Sequence, residues 1–584
     1  MASHETTLTL DTPMAPPRWA LLERELLRAN SQACKAFFDH YFDHRGYLLC
    51  VPRWGGDDGA DDAIENLAHW PTLHALGGAD DILDIYKLAW EGHLQQYTEA
   101  KTEEVPFARD GMYYKEFPVM FDWLHNGESM SVFNLQGLSD PRDLDFQKRV
   151  KRYAAFYTGE DPDAPNYDPE HRLMRSMFNG SRGPLMRKTT GLDWAGDPFE
   201  ATRFDLLHGE RNYREIVAHF KDYNDVVGDS PLNLGATSLA FNAYALSGEA
   251  KYKEWLLEYA DAWIERTEAN GGIIPSNVGL DGTIGGACNG KWYGGVYGWG
   301  FSVVVPQTGE LAHRNTAVGY HPPYGFGNAL LMTGDQRYVD VWRGVLEAVN
   351  ANGKEIDGQM MYPDMYGDEG WYHYTPERFS PGALEIYYWS MDDADLERLP
   401  REGWVAYLKG QEPDYPVEAM RQDLVDIRRK VKEGVYEDTA TPDTRLSDNP
   451  NPYNPATVGT LVKLMLGGLP TGRAGFPLHC RVRYFDPQKR RAGMPDDVGA
   501  LVDEMTADKM TLTLVNVNQV QERTVVVQGG AYAEHQIEEI EVGDQVVPVD
   551  DSAFSVRLAP GAGRRLVLKM KRYANQPTFA FPWS

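Results

Sequence analysis

The feature that most constrains the fold is a pattern that recurs four times along the chain. An apolar run ends at a small residue or a glycine, an acidic residue follows, and an amphipathic run begins. Glycine or serine closes one helix, while Asp or Glu stabilises the positively polarised start of the next. Because the link is short, the two helices must be antiparallel. Each stretch therefore predicts a helical hairpin, and the four stretches begin at Leu73, Leu135, Phe241 and Asn328.

Within each predicted hairpin the first helix is the more apolar one, and the second carries charge on one face. This difference suits an inner and an outer layer of helices. The spacing between hairpins is irregular, unlike the constant periods of about 34 to 47 residues in helical repeat arrays. Long stretches rich in glycine and aromatic residues lie between them. Stacked hairpins of this kind form either an open solenoid or a closed ring.

The sequence changes character from about Gly475. Short β-branched runs such as KMTLTLVNVN, ERTVVVQGG and AFSVRLAPG alternate with glycine-containing turns, which predicts a small antiparallel β-sandwich. We therefore expect a helical catalytic domain over residues 1–474 and a β-sandwich domain over residues 475–584. The predicted strands carry few aromatic residues, so we expect the sandwich to support the helical domain and not to bind polymer.

The helical hairpins and their long loops resemble the (α/α) toroid of carbohydrate-active enzymes, of the glycoside hydrolase and polysaccharide lyase type, over roughly residues 20–470. The resemblance implies a mainly α fold, an (α/α)6-type toroid of antiparallel helical hairpins followed by a small C-terminal antiparallel β-sandwich. It also implies a cleft surrounded by loops at one rim and the cleavage of glycosidic bonds. The layout is similar to that of several glycoside hydrolase families, including the β-L-arabinofuranosidases. The zinc-bound cysteine cluster of those arabinofuranosidases is not reproduced here.

Composition narrows the classes of partner. The net charge of −29 disfavours nucleic acid and anionic membranes, since both attract basic proteins. Aromatic residues make up 12% of the chain, and their rings can stack on sugars. The N-terminus has neither a basic segment nor an apolar segment of a signal peptide. We therefore expect a cytoplasmic protein, or a secreted one if a signal peptide has been removed, acting on an oligosaccharide or polysaccharide; the oligomeric state is left open.

The cysteines give no sign of a metal site or of a disulfide framework. They lie far apart with no CxxC spacing, and we expect four free thiols, no metal and no cofactor. The four are Cys34, Cys50, Cys288 and Cys480.

The strongest catalytic candidate is FDWLHNGES, residues 121–129. On a helix His125 shares one face with Asp122 and another with Glu128, so the two carboxylates diverge. Gly127 indicates that the helix begins or breaks nearby, which would bring both carboxylates into one cleft. One of them could then act as the general acid or base, with His125 orienting it and Trp123 packing beneath a sugar. The alternative is a capped helix entry with a buried histidine.

Four further segments supply candidate residues. RWGGDD places two aspartates at the rim of a cleft, although they could simply cap a turn. The glycine-rich stretch 279–301 cannot form a stable helix, and its aromatic residues predict a loop that stacks on sugar. HRNTAVGYHPPYGFGN precedes an inner helix, and DMYGDEGWYHY reads as a turn; turn chemistry and tyrosine packing are the alternatives for both. The candidates are Trp54, Asp57, Asp58, Trp292, Tyr293, Tyr297, Trp299, Arg314, Asn315, His321, Tyr324, Glu369, Trp371 and His373.

Two reactions fit these residues. A hydrolase needs two carboxyl groups across the scissile bond, and the candidates in order are Asp122, Glu128, Asp57, Asp58 and Glu369. A polysaccharide lyase abstracts the C5 proton of a uronate with Tyr or His, for which His125, His321 and Tyr324 are available. The NNH cluster of some toroidal lyases is missing, and the acidic charge suits a neutral sugar, so we favour the hydrolase. A noncatalytic glycan-binding protein would need only the aromatic platforms.

Overall fold

The computed structural model describes residues 6–52, 60–100, 120–121, 123–162, 166–177, 227–295, 298–300, 302–304, 311–313, 322–472 and 475–583. Helices fill most of the described chain up to residue 466, and strands fill most of it from residue 482. The helices in chain order are α1 Arg18–Tyr41, α2 Ala60–Glu65, α3 Trp70–Leu76, α4 Asp81–Glu99, α5 Trp123–Phe133, α6 Gln136–Ser139, α7 Leu144–Tyr157, α8 Thr237–Ser247, α9 Ala250–Ala269, α10 Phe326–Thr333, α11 Arg337–Asn350, α12 Ala383–Ser390, α13 Asp393–Leu396, α14 Gly403–Leu408, α15 Tyr415–Val431 and α16 Gly459–Leu466.

Three of the four predicted hairpins are confirmed as α3–α4, α8–α9 and α10–α11. In each, a glycine with positive φ ends the first helix: Gly77 at 114°, Gly248 at 68° and Gly334 at 69°. This left-handed conformation costs glycine little, which is why the helix stops there. In the stretch from Leu135 the first helix lies earlier than predicted. It is α5, and the single turn α6 forms part of the link to α7.

Two sets of helices alternate along the chain. The apolar helices, α3, α5, α8, α10, α12 and α16, are largely buried; all seven residues of α3 and residues 326–332 of α10 are examples. The amphipathic helices, α1, α4, α7, α9, α11 and α15, bury one face. The first amphipathic helix, α1, packs against the last one, α15. The beginning and the end of the helical region are therefore neighbours.

Strands of the C-terminal region form two five-stranded sheets, with orders β1-β19-β16-β12-β13 and β14-β15-β20-β17-β18. The predicted strands from residue 509 onward are confirmed. The strands are β1 Thr7–Leu10, β2 Met120–Phe121, β3 Tyr167–Asp168, β4 Leu173–Met174, β5 Ser176–Met177, β6 Val227–Gly228, β7 Ser302–Val304, β8 Leu311–His313, β9 Lys354–Ile356, β10 Gln359–Gly367, β11 Gly370–Thr375, β12 Val482–Asp486, β13 Arg491–Ala492, β14 Val498–Met505, β15 Lys509–Asn516, β16 Arg523–Gly529, β17 Gln536–Val542, β18 Gln545–Asp551, β19 Ala553–Leu558 and β20 Gly563–Lys571.

The first strand of the chain belongs to one of these C-terminal sheets. β1 pairs in parallel with β19, with Thr7 opposite Ser555 and Leu10 opposite Leu558. Every other pairing in the two sheets is antiparallel. Residues 7–10 therefore lie with the sheets that we predicted from residue 475 onward, and the division into domains at residue 474 stays a prediction.

The C-terminal region contacts the C-terminal ends of the apolar helices α3 and α12 and the short helix α6 in the link that follows α5. Arg491 donates to the His74 carbonyl at the end of α3 at 2.7 Å, and Arg483 donates to the Leu138 carbonyl of α6. Arg572 donates to the Trp389 carbonyl in the last turn of α12 at 2.8 Å. The last carbonyls of a helix lack intrahelical donors and carry partial negative charge. These guanidinium groups satisfy them, so the sheets cover this end of the apolar helices.

The four cysteines all lie in the described part of the chain, and the structure joins none of them in a disulfide. Among the described helices we find none with the length and apolar composition needed to cross a membrane.

Candidate functional site

The links between helices differ in length at the two ends of the apolar helices. Most links that leave an apolar helix are short, such as 248–249 and 334–336, although the link after α12, 391–414, contains α13 and α14. Links that enter an apolar helix are long, such as 270–325 and 351–382. The arginine contacts place the sheets beside the short links. The N-terminal ends of the apolar helices and the long links are therefore the part of the helical region left for a ligand, and loops of this kind often carry function.

A cavity of about 200 Å³ lies at this end, between the start of α10, helix α12 and residues 469–472 and 476–479. Its lining is mostly apolar and aromatic, with a few polar groups, as in many small-molecule sites. The polar and aromatic side chains that line it are Tyr324, Asn328, Glu385, Trp389, Thr471, Phe476 and His479.

Glu385 is the carboxyl group of the cavity. It is the third residue of α12 and is half-buried. Burial raises the pKa of Glu385, because the charged carboxylate is poorly solvated there. A carboxyl group that keeps its proton in this way, with access to a cavity, is suited to act as a general acid.

His479 and Trp389 form the wall next to Glu385. The indole Nε1 of Trp389 donates to Nδ1 of His479 at 3.1 Å, and burial lowers the pKa of His479 to about 3. The imidazole is therefore neutral at physiological pH. Since Nδ1 accepts the indole hydrogen bond, Nε2 carries the proton.

Tyr324, in the turn before α10, and Asn328, within α10, form another wall of the cavity. Asn328 donates from Nδ2 to the hydroxyl oxygens of Thr237 and Ser238 at 2.8 and 3.1 Å, which fixes its amide. The hydroxyl of Tyr324 is buried and has no hydrogen-bond partner among the described residues. Burial raises the pKa of Tyr324 well above 10. That change opposes proton abstraction, which is the role Tyr324 would have in a lyase.

Four aromatic rings form a half-buried cluster where the glycine-rich stretch meets the β10–β11 hairpin. The ring centroid of Tyr366 lies 4.7 Å from that of Trp292, 5.2 Å from Tyr293 and 5.0 Å from Trp371. The structure thus brings together three predicted residues and adds Tyr366, which the sequence analysis missed. Both segments belong to long links that enter apolar helices, 270–325 and 351–382.

Two predicted stacking residues are packing residues instead, and that prediction is wrong. Trp299 is fully buried, and its Nε1 donates to the Ile274 carbonyl at 2.9 Å. Trp123 is 2% exposed; its ring lies against Gly235, where a Cβ atom would overlap it. Neither ring has a face left for a sugar.

Helix α5 also departs from the prediction. It runs without a break through Gly127, from Trp123 to Phe133. Its start is fixed from the long link before α8, because the Trp123 N–H donates to Oδ1 of Asn233 at 3.0 Å. Asn233 in turn donates to Asp229 at 2.9 Å. Glu128 is half-buried in the middle of α5. Because Asp122 lies outside the described residues, a cleft shared by these two carboxyl groups stays a prediction.

The DMYGDEGWYHY segment is a β-hairpin and not only a turn. Glu369 is exposed in the turn between β10 and β11, while Trp371 and His373 lie on β11. The imidazole Nδ1 of His373 is 2.6 Å from Oδ1 of Asp364 on the opposite strand. The alternation of side chains along a strand is hidden in this segment by its glycines, which is why the sequence predicted only a turn.

The remaining predicted residues cannot be placed. Those outside the described residues are Trp54, Asp57, Asp58, Asp122, Tyr297, Arg314, Asn315 and His321. His125 lies within α5, but its side chain is outside what the structure describes.

Glu385 is the main residue that the sequence analysis missed. Its sequence signal is a single acid within the apolar run ALEIYYW, after the helix-starting SPG. An isolated carboxylate in an otherwise apolar helix must find either a partner or a cavity. Among the described residues no group of three or more His, Cys, Asp or Glu side chains could hold a metal ion.

Comparisons with known proteins give one family and a weak structural likeness. A family model described as "Domain of unknown function (DUF8034)" matches residues 7–402. No curated protein matches the sequence. Two solved structures of the GH76A α-1,6-mannanase of Salegentibacter sp. HEL1_6 show similarity. One, an inactive variant in complex with α-1,6-mannotetrose, is 13% identical with a TM-score of 0.30. The other is 12% identical with a TM-score of 0.29. Each match covers 75% of this chain and 98% of the other, and such low values do not indicate a function.

Proposed function

We propose that this chain, which belongs to the family described as "Domain of unknown function (DUF8034)", is a glycoside hydrolase that cleaves an oligosaccharide or polysaccharide by acid–base catalysis. The observation that carries the proposal is Glu385, a half-buried carboxyl group with a raised pKa on the wall of a cavity. A glycoside hydrolase requires one carboxyl group that remains protonated to assist the leaving group.

The fold that we propose is an (α/α)6 toroid with a C-terminal β-sandwich. Six pairs of an amphipathic and an apolar helix can be formed from the described chain, namely α1 with α3, α4 with α5, α7 with α8, α9 with α10, α11 with α12 and α15 with α16. Contact between α1 and α15 supports a closed ring over an open solenoid. The apolar helices would then form the inner layer, with their N-terminal ends around the cleft.

In the proposed reaction Glu385 gives its proton to the glycosidic oxygen while the bond from that oxygen to the anomeric carbon breaks. A water molecule attacks the anomeric carbon, directly or after a glycosyl-enzyme intermediate, and its proton passes to a carboxylate. Glu128 is our proposal for the second carboxyl group within the described chain. In the proposed ring α5 is the second inner helix and α12 the fifth, so the two glutamates would face each other across the cleft. Asp122, Asp57 and Asp58 stay predicted alternatives for this role.

The half-buried aromatic cluster supports a sugar ligand. Trp292, Tyr293, Tyr366 and Trp371 come from the long links that would form the cleft rim, and partly exposed rings of this kind can stack on the C–H faces of sugar rings. A hydrolase is favoured over a lyase because burial raises the pKa of Tyr324, whereas a catalytic tyrosine base needs a lowered one.

Product analysis tests the proposal. Neutral and uronate-containing oligosaccharides are incubated with the protein in water enriched in ¹⁸O, and the products are resolved by mass, with ultraviolet absorbance recorded for unsaturated uronates. We expect products that gain one labelled water, and we expect their loss in Glu385→Gln. Products that gain no water and absorb in the ultraviolet would show a lyase. Binding without any product would show a glycan-binding protein.

A further inference from the structure

We infer that the cavity beside Glu385 receives one uncharged sugar unit at the end of a chain, so that the enzyme releases terminal units and does not cut within the chain. This inference rests on the proposed glycoside hydrolase function. It follows from what closes the cavity, from its size and from the chemistry of its lining.

Residues 469–472 and 475–479, the described parts of the segment before β12, close the cavity on the side of the sheets. On one side, Asn134, directly after α5, donates from Nδ2 to the Gly475 carbonyl at 2.8 Å. On the other side, Trp389 of α12 donates to His479 at 3.1 Å. The segment is also closed on itself, because the Leu469 N–H donates to the His479 carbonyl at 2.9 Å. It is therefore held from two apolar helices at once.

The sheets lie directly behind this segment. The hydroxyl of Tyr532, next to strand β16, accepts from the Leu478 N–H at 2.9 Å. On the helical side, the Tyr388 hydroxyl donates to the Gly467 carbonyl at 2.7 Å. A sugar chain could not pass from the cavity through this layer, so a ligand must enter and leave at the end formed by the long links.

The size of the cavity and the chemistry of its lining indicate which ligand fits. The cavity of about 200 Å³ is below the range of about 300–1,000 Å³ that is usual for larger ligands, and it suits one ring. None of the described residues that line it is Lys or Arg. A buried uronate or phosphate would need such a partner, whereas hydroxyl groups can bind Asn328, the Nε2–H of His479 and Glu385.

The position of Glu385 connects the cavity with the reaction. It lies on the wall of the same cavity, one turn before Trp389 on α12. A sugar unit that fills the cavity would therefore have its glycosidic oxygen close to the proton donor, and the rest of the chain would extend toward the aromatic rim.

The test uses neutral linear oligosaccharides of two to six units, labelled at the reducing end, with the wild-type chain and two variants. Thr471→Trp places a large ring in the cavity. Val520→Trp adds the same ring at a residue that is 84% exposed in the turn between β15 and β16, and so controls for an added tryptophan. Thermal unfolding of both variants shows whether they fold.

For the wild type we expect products shortened by one unit at a time from the earliest time point. We expect Thr471→Trp to lower this rate by at least tenfold and Val520→Trp to leave it unchanged. Labelled internal fragments of several lengths at the earliest time point would overturn the inference while leaving the hydrolase in place.

If no oligosaccharide is cleaved, the proposed function fails. Calorimetric titration with neutral monosaccharides then tests separately whether the cavity binds one sugar unit. Binding to the wild type and to Val520→Trp, but not to Thr471→Trp, supports a site for one sugar unit. Equal binding to all three proteins, or binding to none, overturns it.

Discussion

Trp389 and His479 are joined by a hydrogen bond of 3.1 Å from the indole Nε1 to the imidazole Nδ1. Trp389 lies in the last turn of α12, the apolar helix that carries Glu385. His479 lies in the chain segment that leads into the C-terminal sheets. The bond therefore ties the wall of the cavity to its closed end. It also fixes one tautomer of the imidazole, which burial keeps neutral, so that the proton lies on Nε2.

The pH dependence of activity should reflect the ionisation of the Glu385 carboxyl group. Because burial raises the pKa of this carboxyl group, its protonated form persists above the usual range of glutamate, near 4.5. We expect kcat/KM to fall as the pH rises through the raised pKa, with one proton lost. Measured kcat/KM over pH 4 to 10 checks this. An alkaline limb at the ordinary glutamate pKa would contradict the assignment, and Glu377→Gln, at an exposed position outside the cavity, should not alter the profile.

Two glycines give a matched pair that tests the cavity wall. A Cβ atom at Gly327 would lie 2.5 Å from Cζ2 of Trp389 and 3.1 Å from Nε2 of His479, whereas at Gly344 it would meet no atom within 4 Å. We expect Gly327→Ala to lower the free energy of unfolding by about 1–3 kcal/mol and to lower activity. Gly344→Ala, within helix α11, should raise that free energy by up to about 1 kcal/mol. Urea unfolding and turnover measure both; an active, fully stable Gly327→Ala variant would argue against the wall as described.

The aromatic residues should separate into packing and binding roles. Trp299 is fully buried, so Trp299→Ala should lower the free energy of unfolding by about 3–5 kcal/mol. Trp371 is half-buried at the rim, so Trp371→Ala should mainly raise KM, by about tenfold, or about 1.4 kcal/mol of binding free energy. Unfolding curves and steady-state kinetics distinguish the two. An unchanged KM in a folded Trp371→Ala variant would remove the stacking role.

The buried carboxyl group of Glu23 should make the free energy of unfolding depend on pH. Burial raises its pKa to about 8, and its carboxyl oxygens accept from the Ala500 N–H at 3.2 and 3.3 Å. A folded-state pKa above the unfolded value of about 4.5 means that the stabilisation is complete below pH 4.5 and is lost as the pH rises through 8.

We therefore expect Glu23→Gln to match the wild type at pH 4 and to exceed its free energy of unfolding by at least about 1 kcal/mol at pH 9. Glu25→Gln, on the same helix at a more exposed position, is the control. Denaturant unfolding at both pH values checks this, and equal stability of wild type and Glu23→Gln at pH 9 would contradict it.

The sequence predicted those elements whose signals are local. A glycine such as Gly248 ends one helix, and the acidic residue after it starts the next. The hairpin can therefore be predicted without knowledge of any tertiary contact. Strands β15 to β20 could be predicted for the same reason, because the alternation lies within each strand and the glycine-containing turns lie between neighbouring strands.

Features that depend on distant residues could not be predicted in this way. Strand β1 pairs with β19 at the other end of the chain, and the burial of Trp299 depends on Ile274 and Phe379 from different segments. Glu385 looks like an ordinary helix-start acid until His479 and Thr471 are placed around it. The density of polar residues favoured FDWLHNGES, whose Asp122 lies outside the described residues, so that its catalytic role stays a prediction.

The central claim is that Glu385 donates a proton to the leaving group. Its most direct test measures the wild type and Glu385→Gln on two substrates that share the same terminal sugar. One substrate has a sugar leaving group, and the other has a dinitrophenolate leaving group, which departs without protonation. We predict that kcat/KM falls by about 10²–10⁴ for the sugar leaving group and stays within about tenfold of wild type for the dinitrophenyl substrate. Equal losses on both substrates, or no loss on either, would contradict the claim.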